Sequence, residues 1–549
     1  MEQPSKRSPA ELVKENSRGL RGRIEEELAQ DAPQFSKETS QVLKFHGIYP
    51  QSDRDARKAG QEPQYGAMVR VQVPGGVLTA GQYLALDRLA DEAGDGGLRI
   101  TTRQDVQYHR VKKPDLKHLE RALNENLLST FAACGDVVRN VTCCPAPLHN
   151  TVAAELQGYT RELSRRLKPR TRAYYEIWLD GEKAASREVD EPLYGTAYLP
   201  RKFKVGFAAP ADNCIDVYTN DVGVVPLIED GRLTGFLVLA GGGMGSSPGV
   251  KASHPRLAEP VCTVPPDELA PVVEAIIGIH RDYGDRVNRR LARLKYVLDD
   301  WGLERFRKEL ETRAGKSLAP PRTVEWRRAE DHLGWHEQGD GLWFLGVFVS
   351  SGRVRDFEHA RVRAGLRETI ARFRPGVRLT LQQNVLLTGI RPEDRAGIED
   401  TLSSHGIRPA AQLLPVVRNA LACPALPTCG LAITEAERTL PALTAEIGAA
   451  LSEAGLEGES ITVRVTGCPN ACARPQTAEV GLVGESLNLY GVYLGASPLG
   501  TRLGFRWAEK VPRAEIASRL RPVFAAFRER RRTGESFGDF CYRVRGELQ

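Results

Sequence analysis

The sequence predicts an α+β protein built by internal duplication. Two matches at one spacing and a shared local pattern carry that reading. LRITTRQDVQ (98–107) aligns with VRLTLQQNVL (377–386), and VVRNVTCCPA (137–146) aligns with VVRNALACPA (416–425). Both pairs stand 279 positions apart (103 against 382, 139 against 418). Upstream, MVRVQVPGG (68–76) and FLGVFVSSG (344–352) both alternate like half-buried strands, end in glycine and run into a helical pattern.

Each half therefore reads strand, turn, helix (TAGQYLALDRLADEA; DFEHARVRAGLRETIARF) and second strand, an α+β module. A longer α/β segment follows each copy. In the first half it holds a helix over 152–167 and strands in AYYEIWLD, FKVGFAAP and GFLVLAGGG. In the second it holds a helix over 434–453, strand ITVRVTG and the glycine-rich EVGLVGESLNLYGVYLG. A weaker echo sets FKVGFAAPADNC (203–214) against ITVRVTGCPNAC (461–472). The linker SLAPPRTVEWRRAEDHLGW separates the halves. The expected domains are an N-terminal polar arm (1–62), a duplicated α+β domain (63–132 plus 331–410) and two α/β domains (133–330 and 411–549), the second bearing four spaced cysteines.

The chain's 549 residues call for two to four domains, and 41% hydrophobic with 27% charged residues is an ordinary globular balance. A net charge of +6 over this length is too weak for nucleic acid, which calls for a basic stripe. It suits docking an acidic protein. The opening MEQPSKRSPAELVKENSRGLRGRIEEELAQ has neither the apolar run of a signal peptide nor the acid-poor bias of a transit sequence. No stretch reaches the roughly 18 apolar residues of a membrane helix. A cytoplasmic location is expected, with no nucleic acid and no membrane.

Ten cysteines in such a chain do not make a disulfide framework. Cys134, Cys143, Cys144, Cys214, Cys262 and Cys541 lack ligand-like partners at useful spacing; Cys423, Cys429, Cys468 and Cys472 have them. Four thiolates select an iron–sulfur cluster or zinc. Zinc knuckles prefer two to four intervening residues. CPALPTC has five and CPNAC has three, which suits the wider corners of a cubane cluster. The duplication is asymmetric here, since the first half keeps only Cys144 and Cys214 at equivalent places and carries extra cations instead.

NALACPALPTCGLAITEAER and RVTGCPNACARPQTAEVGLVG resemble the two cluster motifs of the siroheme sulfite and nitrite reductases. The resemblance runs on through KFHGIYPQSDRD, LRITTRQDVQYH, YLPRKFK, GGGMG and SFGDF, and is strongest to the haemoprotein component of assimilatory sulfite reductase. It implies a pseudo-twofold sulfite-reductase fold, with a ferredoxin-like repeat domain and two α/β cofactor-binding domains. It also implies that Cys472 ligates both a [4Fe–4S] cluster and siroheme. Arg70, Arg139, Lys202 and Lys204 would surround the substrate anion, and Arg99, Arg103, Gln107 and His109 would line one strand against siroheme carboxylates. Lys202 and Lys204 alternate by two, so on a strand they share a side, and crowding should lower a lysine's pKa enough for proton donation. In isolation the same pair also fits an exposed edge strand guarded by lysines.

Gly241, Gly242 and Gly243 follow a strand without opening an amphipathic helix, so they are no dinucleotide fingerprint. They are expected to let backbone approach the flat macrocycle. The basic stretch HRDYGDRVNRRLARLKYVLDDWG reads as a helix, with Arg286, Asn288 and Arg289 as further cofactor contacts. The expected activity is reduction of sulfite to hydrogen sulfide in sulfur assimilation. The alternatives are nitrite reduction to ammonia by the same machinery and a zinc-stapled binding protein. Plant-type nitrite reductases tend to carry asparagine at the place of Lys204, which favours sulfite. With no flavin or nucleotide domain in view, electrons would arrive from an NADPH flavoprotein or a ferredoxin, docking near loops 424–430 and 469–475.

Overall fold

The computed structural model describes residues 7–56, 63–170, 175–179, 182–187 and 191–548. The repeated modules form two five-stranded sheets. The first runs Ile48–Ser52, Tyr65–Val71, Val106–Val111, Leu98–Ile100 and Arg353–Val354. The second runs Gly334–Glu337, Trp343–Val347, Val385–Ile390, Gly376–Leu379 and Val77–Leu78. Each sheet thus takes its last strand from the other copy: Val354 pairs with Leu98, and Leu78 with Val377. Helices Ala80–Glu92 and Val362–Phe373, one from each copy, pack against each other, the first opened by a reciprocal cap in which Thr79 and Gln82 bond each other's backbone N–H. One apolar core, including Leu78, Leu86, Val354, Leu366 and Ile370, spans both copies.

The α/β segments also repeat. Thr142–Cys143, Val205–Phe207, Val222–Glu229, Arg232–Ala240 and Glu259–Val264 lie side by side in chain order, as do Ala420–Ala422, Val463–Thr466, Val480–Ser486, Leu489–Leu494 and Phe505–Pro512. In each sheet the first three strands are parallel and the last two antiparallel. Val205–Phe207 and Val463–Thr466 hold the same place, so the faint echo between 203–214 and 461–472 is a true structural equivalence. Open parallel sheets bind ligands beyond the carboxyl ends of their strands. Cys423 and Cys468 stand at that end of the second sheet, one and two residues past their strands.

Several expected elements differ. The helix expected over 434–453 is Leu440–Glu453, because Pro441 can sit only in a first turn and Glu437 is drawn into ion pairs instead. The stretch AYYEIWLD gives Tyr175–Leu179, paired among the described residues only with Glu182–Arg187, and its flanks lie outside the described residues. The basic stretch is not one helix: Leu269–Tyr283 ends before Gly284, and Leu294–Ala314 is broken at Gly302 (φ +71°). The arm over 1–62 is more than a surface strap. Helix Pro9–Glu15 buries Glu11 and Lys14 completely, and Ile48–Ser52 is an edge strand of the first sheet. Arg286 and Arg289 are held by Glu11, and Arg289 also by Asp136 at 2.8 Å. These two arginines brace the N-terminal helix, which corrects their expected place at a cofactor; Asn288 uses its side chain on the backbone of Arg290. Among the described residues no helix is long and apolar enough to cross a membrane.

Candidate active site

The cysteine loops are built from strand ends and held by backbone. The Cys423 amide donates to Val465 O at 3.2 Å, and its sulfur accepts from the Gly467 amide at 3.3 Å. Cβ added at Gly467 would run into Thr434 O and Ala425 Cβ, so only glycine lets the two loops approach. Ala425 and Ala471 take left-handed φ of +49° and +52°, setting the turns that present the thiols. Gln51 Nε2 donates to Thr428 O at 3.0 Å and Arg54 Nη1 to Ala432 O at 2.6 Å, so the N-terminal segment grips the first loop.

Cys423 and Cys468 are buried, Cys429 half-buried and Cys472 exposed. Burial pushes the Cys468 thiol up to about 11 and those of Cys423 and Cys429 also upward. Such thiols ionise when a metal displaces their protons. Their sulfurs are not gathered at the spacing of one ion: the one set of such ligand atoms converging within 4.8 Å, among the described residues, lies elsewhere. A soft, spread-out donor set fits a cluster better than a single zinc.

Opposite the cysteines lies a cationic floor. Arg70, on Tyr65–Val71, faces Gln107 across the sheet, and the Gln107 amide oxygen accepts from Arg70 Nε at 3.1 Å and Nη2 at 2.6 Å. Arg139 is buried and anchored through Nε to Gly135 O at 2.8 Å. Phe203 is fully buried, so Lys202 and Lys204 on either side of it project together away from the core. Neither ammonium has a hydrogen-bond or ion-pair partner among the described residues. Burial, then Arg293 and Arg201, lowers Lys202 to about 7; burial, then Arg103 and Lys202, pulls Lys204 well below the usual lysine range. The Cys472 sulfur acts in the opposite sense on both Lys202 and Arg70, and Arg139 repels Lys202. Lys202 thus stands within electrostatic reach of Lys204, Arg139 and Cys472, and Arg70 within reach of Cys472 as well.

The other expected contacts divide. Arg99, Arg103, Gln107 and His109 do not share one strand. Leu98–Ile100 and Val106–Val111 form a hairpin turned at Gln104 (φ +59°), with Arg103 in the turn. Arg99 is buried against Glu437 and Ala422 O, so it ties the sheet to the first cysteine loop rather than reaching into the cofactor space. In the copy, Arg378 does the same to Pro145 O at 3.0 Å. Arg103 donates to Asn140 O, to Asn220 Oδ1 at 2.9 Å and to Val205 O at 3.1 Å. His109 lies buried beside Gln51 (3.3 Å), held neutral by burial and by Arg353 and Arg99.

Gly241–Gly243 serve backbone packing. Cβ on Gly242 would strike Tyr218 O and Asn220 O, and the run leads to Ser246, whose amide donates to Pro469 O at 2.9 Å in the second cysteine loop.

Sequence reading missed Asp221, which accepts from Arg293 at 2.7 Å and 3.1 Å and from the Lys204 amide at 2.9 Å, and so holds the lysine segment. It also missed Arg474, bound to Asp216 at 2.6 Å and to Thr102 O at 3.3 Å. Asn140 was signalled by the repeat, since Arg-Asn recurs at 418–419. Arg103 Nε, His109 Nε2 and Arg474 Nη2 are buried polar nitrogens with no hydrogen-bond partner among the described residues. Unmet buried polar groups are costly, and Arg103 lies beside Lys204, whose ammonium has no partner among the described residues. That arrangement fits a bound group bearing carboxylates, as siroheme does.

Comparison with known proteins agrees. The model described as "Nitrite/Sulfite reductase ferredoxin-like half domain" matches residues 60–126 and 336–405. The "Nitrite and sulphite reductase 4Fe-4S domain" model matches 159–318, which holds four of the five strands of the sheet whose duplicate bears the four cysteines. The chain is 45% identical to "Sulfite reductase [ferredoxin]" of Synechococcus elongatus, covering 98% of this chain and 90% of that one. It is 44% identical to "Sulfite reductase [NADPH] hemoprotein beta-component" of Myxococcus xanthus, covering 99% and 97%. The NirA protein of Mycobacterium tuberculosis superposes with a TM-score of 0.81 at 26% identity, over 100% of this chain and 98% of that one. The chain belongs to the nitrite and sulfite reductase family, oxidoreductases that work with siroheme and a [4Fe–4S] cluster.

Proposed function

We propose that the chain reduces sulfite to hydrogen sulfide, taking six electrons from a donor protein. The observation that carries this reading is the pair Lys202 and Lys204, unpartnered and side by side with Arg70 and Arg139 next to Cys472. When bound, siroheme and the cluster held by Cys423, Cys429, Cys468 and Cys472 supply the low-potential electrons. The protein's own residues do the rest. Arg70 and Arg139 are permanent cations fixed by Gln107 and Gly135 O, so they orient and hold the anion's oxygens without reorganisation. Lys202 and Lys204 add charge that repels itself until an anion arrives, and their lowered pKa lets each give up a proton as oxygens leave.

A second lysine favours the dianion sulfite over the monoanion nitrite, whose reduction to ammonia is the second reading. The relatives' names include both ferredoxin-linked and NADPH-linked enzymes. The strong resemblance to the haemoprotein component favours a flavoprotein donor that oxidises NADPH. Docking belongs at the first cysteine loop, where Gly430 is exposed and Leu431 is 70% exposed. Ala473, Arg474 and Pro475 are buried, so most of the second loop is not a surface. Steady-state reduction of sulfite and of nitrite by the purified protein, driven by a low-potential dye, tests the proposal. A higher kcat/KM for sulfite is expected; preference for nitrite would overturn the substrate reading while leaving the family intact.

A further inference from the structure

A second group of metal-ligating side chains lies in the first half, where the duplication has no cysteine pairs. Cys144 follows Thr142–Cys143 just as Cys423 follows Ala420–Ala422, and Cys214 stands where Cys472 does in the equivalence of 203–214 with 461–472. The fold brings two further ligands to them. Asp212 lies two residues before Cys214, and His332 comes from the connection between the halves. All four ligand atoms lie within 4.8 Å of one another. Cys144 Sγ is 3.7 Å from His332 Nε2, which is 3.8 Å from Asp212 Oδ2. Every one of the four is buried, at 8%, 1%, 1% and 3% exposure for Cys144, Asp212, Cys214 and His332.

The supporting contacts are those of an oriented site. Asp212 Oδ1 accepts from the amides of Cys214 at 3.0 Å and Glu330 at 3.2 Å, while Oδ2 faces both His332 Nε2 at 3.8 Å and Arg328 Nε at 3.4 Å. His332 is held at φ +57°, a costly backbone for a non-glycine residue, and its ring is thereby swung to the cysteines. The connection itself is laced to Asp212's loop: the Arg327 amide donates to Ala211 O at 2.9 Å and the Asn213 amide to Arg328 O at 2.9 Å.

We propose that Cys144, Asp212, Cys214 and His332 bind one structural zinc ion, which staples the connection between the halves to the first α/β sheet. Two thiolates, an imidazole and a carboxylate within this span make a closed tetrahedral set with soft and borderline donors, the donor type of structural zinc. Four protein ligands leave no open position, so the ion takes no part in turnover. The first half thus keeps a one-ion site where the second half carries a cluster.

Metal analysis of the tag-free, cofactor-loaded enzyme tests this. About one zinc per chain is expected beside the iron, and X-ray absorption at the zinc edge should show two sulfurs near about 2.3 Å and two lighter atoms near about 2.0 Å. Cys214→Ser/His332→Ala should lose the zinc and lower the melting temperature while iron and haem absorbance persist. Zinc well below stoichiometry, a zinc shell without sulfur, zinc retained in the double variant, or a Cys144–Cys214 disulfide found by mass spectrometry would each overturn the assignment. The wild-type absorption spectrum decides the matter even if the variant fails to fold. None of these outcomes bears on sulfite reduction, so the two proposals fail separately.

Discussion

Lys202 and Lys204 differ from the arginines beside them in that their charge is negotiable. Buried among Arg293, Arg201 and Arg139, Lys202 is held at about 7. A depressed lysine pKa means the cation is present below that value and lost as pH rises through it. Carboxylates of a bound cofactor would raise it, so the alkaline limb of kcat/KM should fall at or above pH 7. The ratio of wild type to Lys202→Arg, measured across pH, cancels sulfite's own ionisation. That ratio should drop on the alkaline side, because arginine stays charged, while kcat falls throughout for want of a proton donor. A flat ratio would remove Lys202 from proton delivery. Lys204→Asn should lower kcat/KM for sulfite by about 100-fold, the usual loss of one preorganised anion contact, and affect nitrite less. Equal losses for both anions would show that this lysine does not choose the substrate.

Glu437 shows how an element is tied to the site from a distance. It accepts from Arg99 on one sheet strand and from Arg353 on its neighbour, the latter at 2.7 Å and 3.1 Å, while Arg99 also donates to Ala422 O at 2.9 Å beside Cys423. One carboxylate therefore seats the first cysteine loop on the duplicated domain at its exchanged strand. Glu437→Gln leaves two buried guanidiniums facing a neutral amide, a change that costs about 3–5 kcal/mol when a buried pair is broken. The urea midpoint should fall accordingly, and iron content should fall with it; an unchanged midpoint would mean that solvent already screens the pair. This element also marks where sequence reading stops. The cysteine spacing, the repeat and the Lys-Phe-Lys alternation are local and were legible. Glu437 read as part of a helix, because its partners lie 338 and 84 positions away. For the same reason Arg286 looked like a cofactor contact until Glu11, 275 residues earlier, took its charge. Cys144 and Cys214 looked partnerless because His332 is 188 residues from the first.

At the scale of the whole molecule the duplication is interlocked. The exchanged strands are two residues each, too short to leave a periodic signal, yet they place Leu78 and Val354 in a core shared with Leu366 and Ile370. Separating the halves would expose these side chains at about 1.5–3 kcal/mol apiece, roughly 6–12 kcal/mol together. That matches the whole stability of an ordinary domain, about 5–15 kcal/mol. Fragments 1–333 and 334–549 produced separately should therefore fail to unfold cooperatively, and co-expressed they should recover a one-to-one complex with the far-ultraviolet circular dichroism of the intact chain. Size-exclusion chromatography and urea titration read both results. A fragment that unfolds cooperatively by itself would show that strand exchange adds little, and that each half keeps its own core. Under the proposed function the exchange has a consequence, since Lys202 comes from the first half and Cys472 from the second. A chain that cannot fold by halves keeps Lys202 and Cys472 at a fixed separation, as proton and electron delivery to one anion requires.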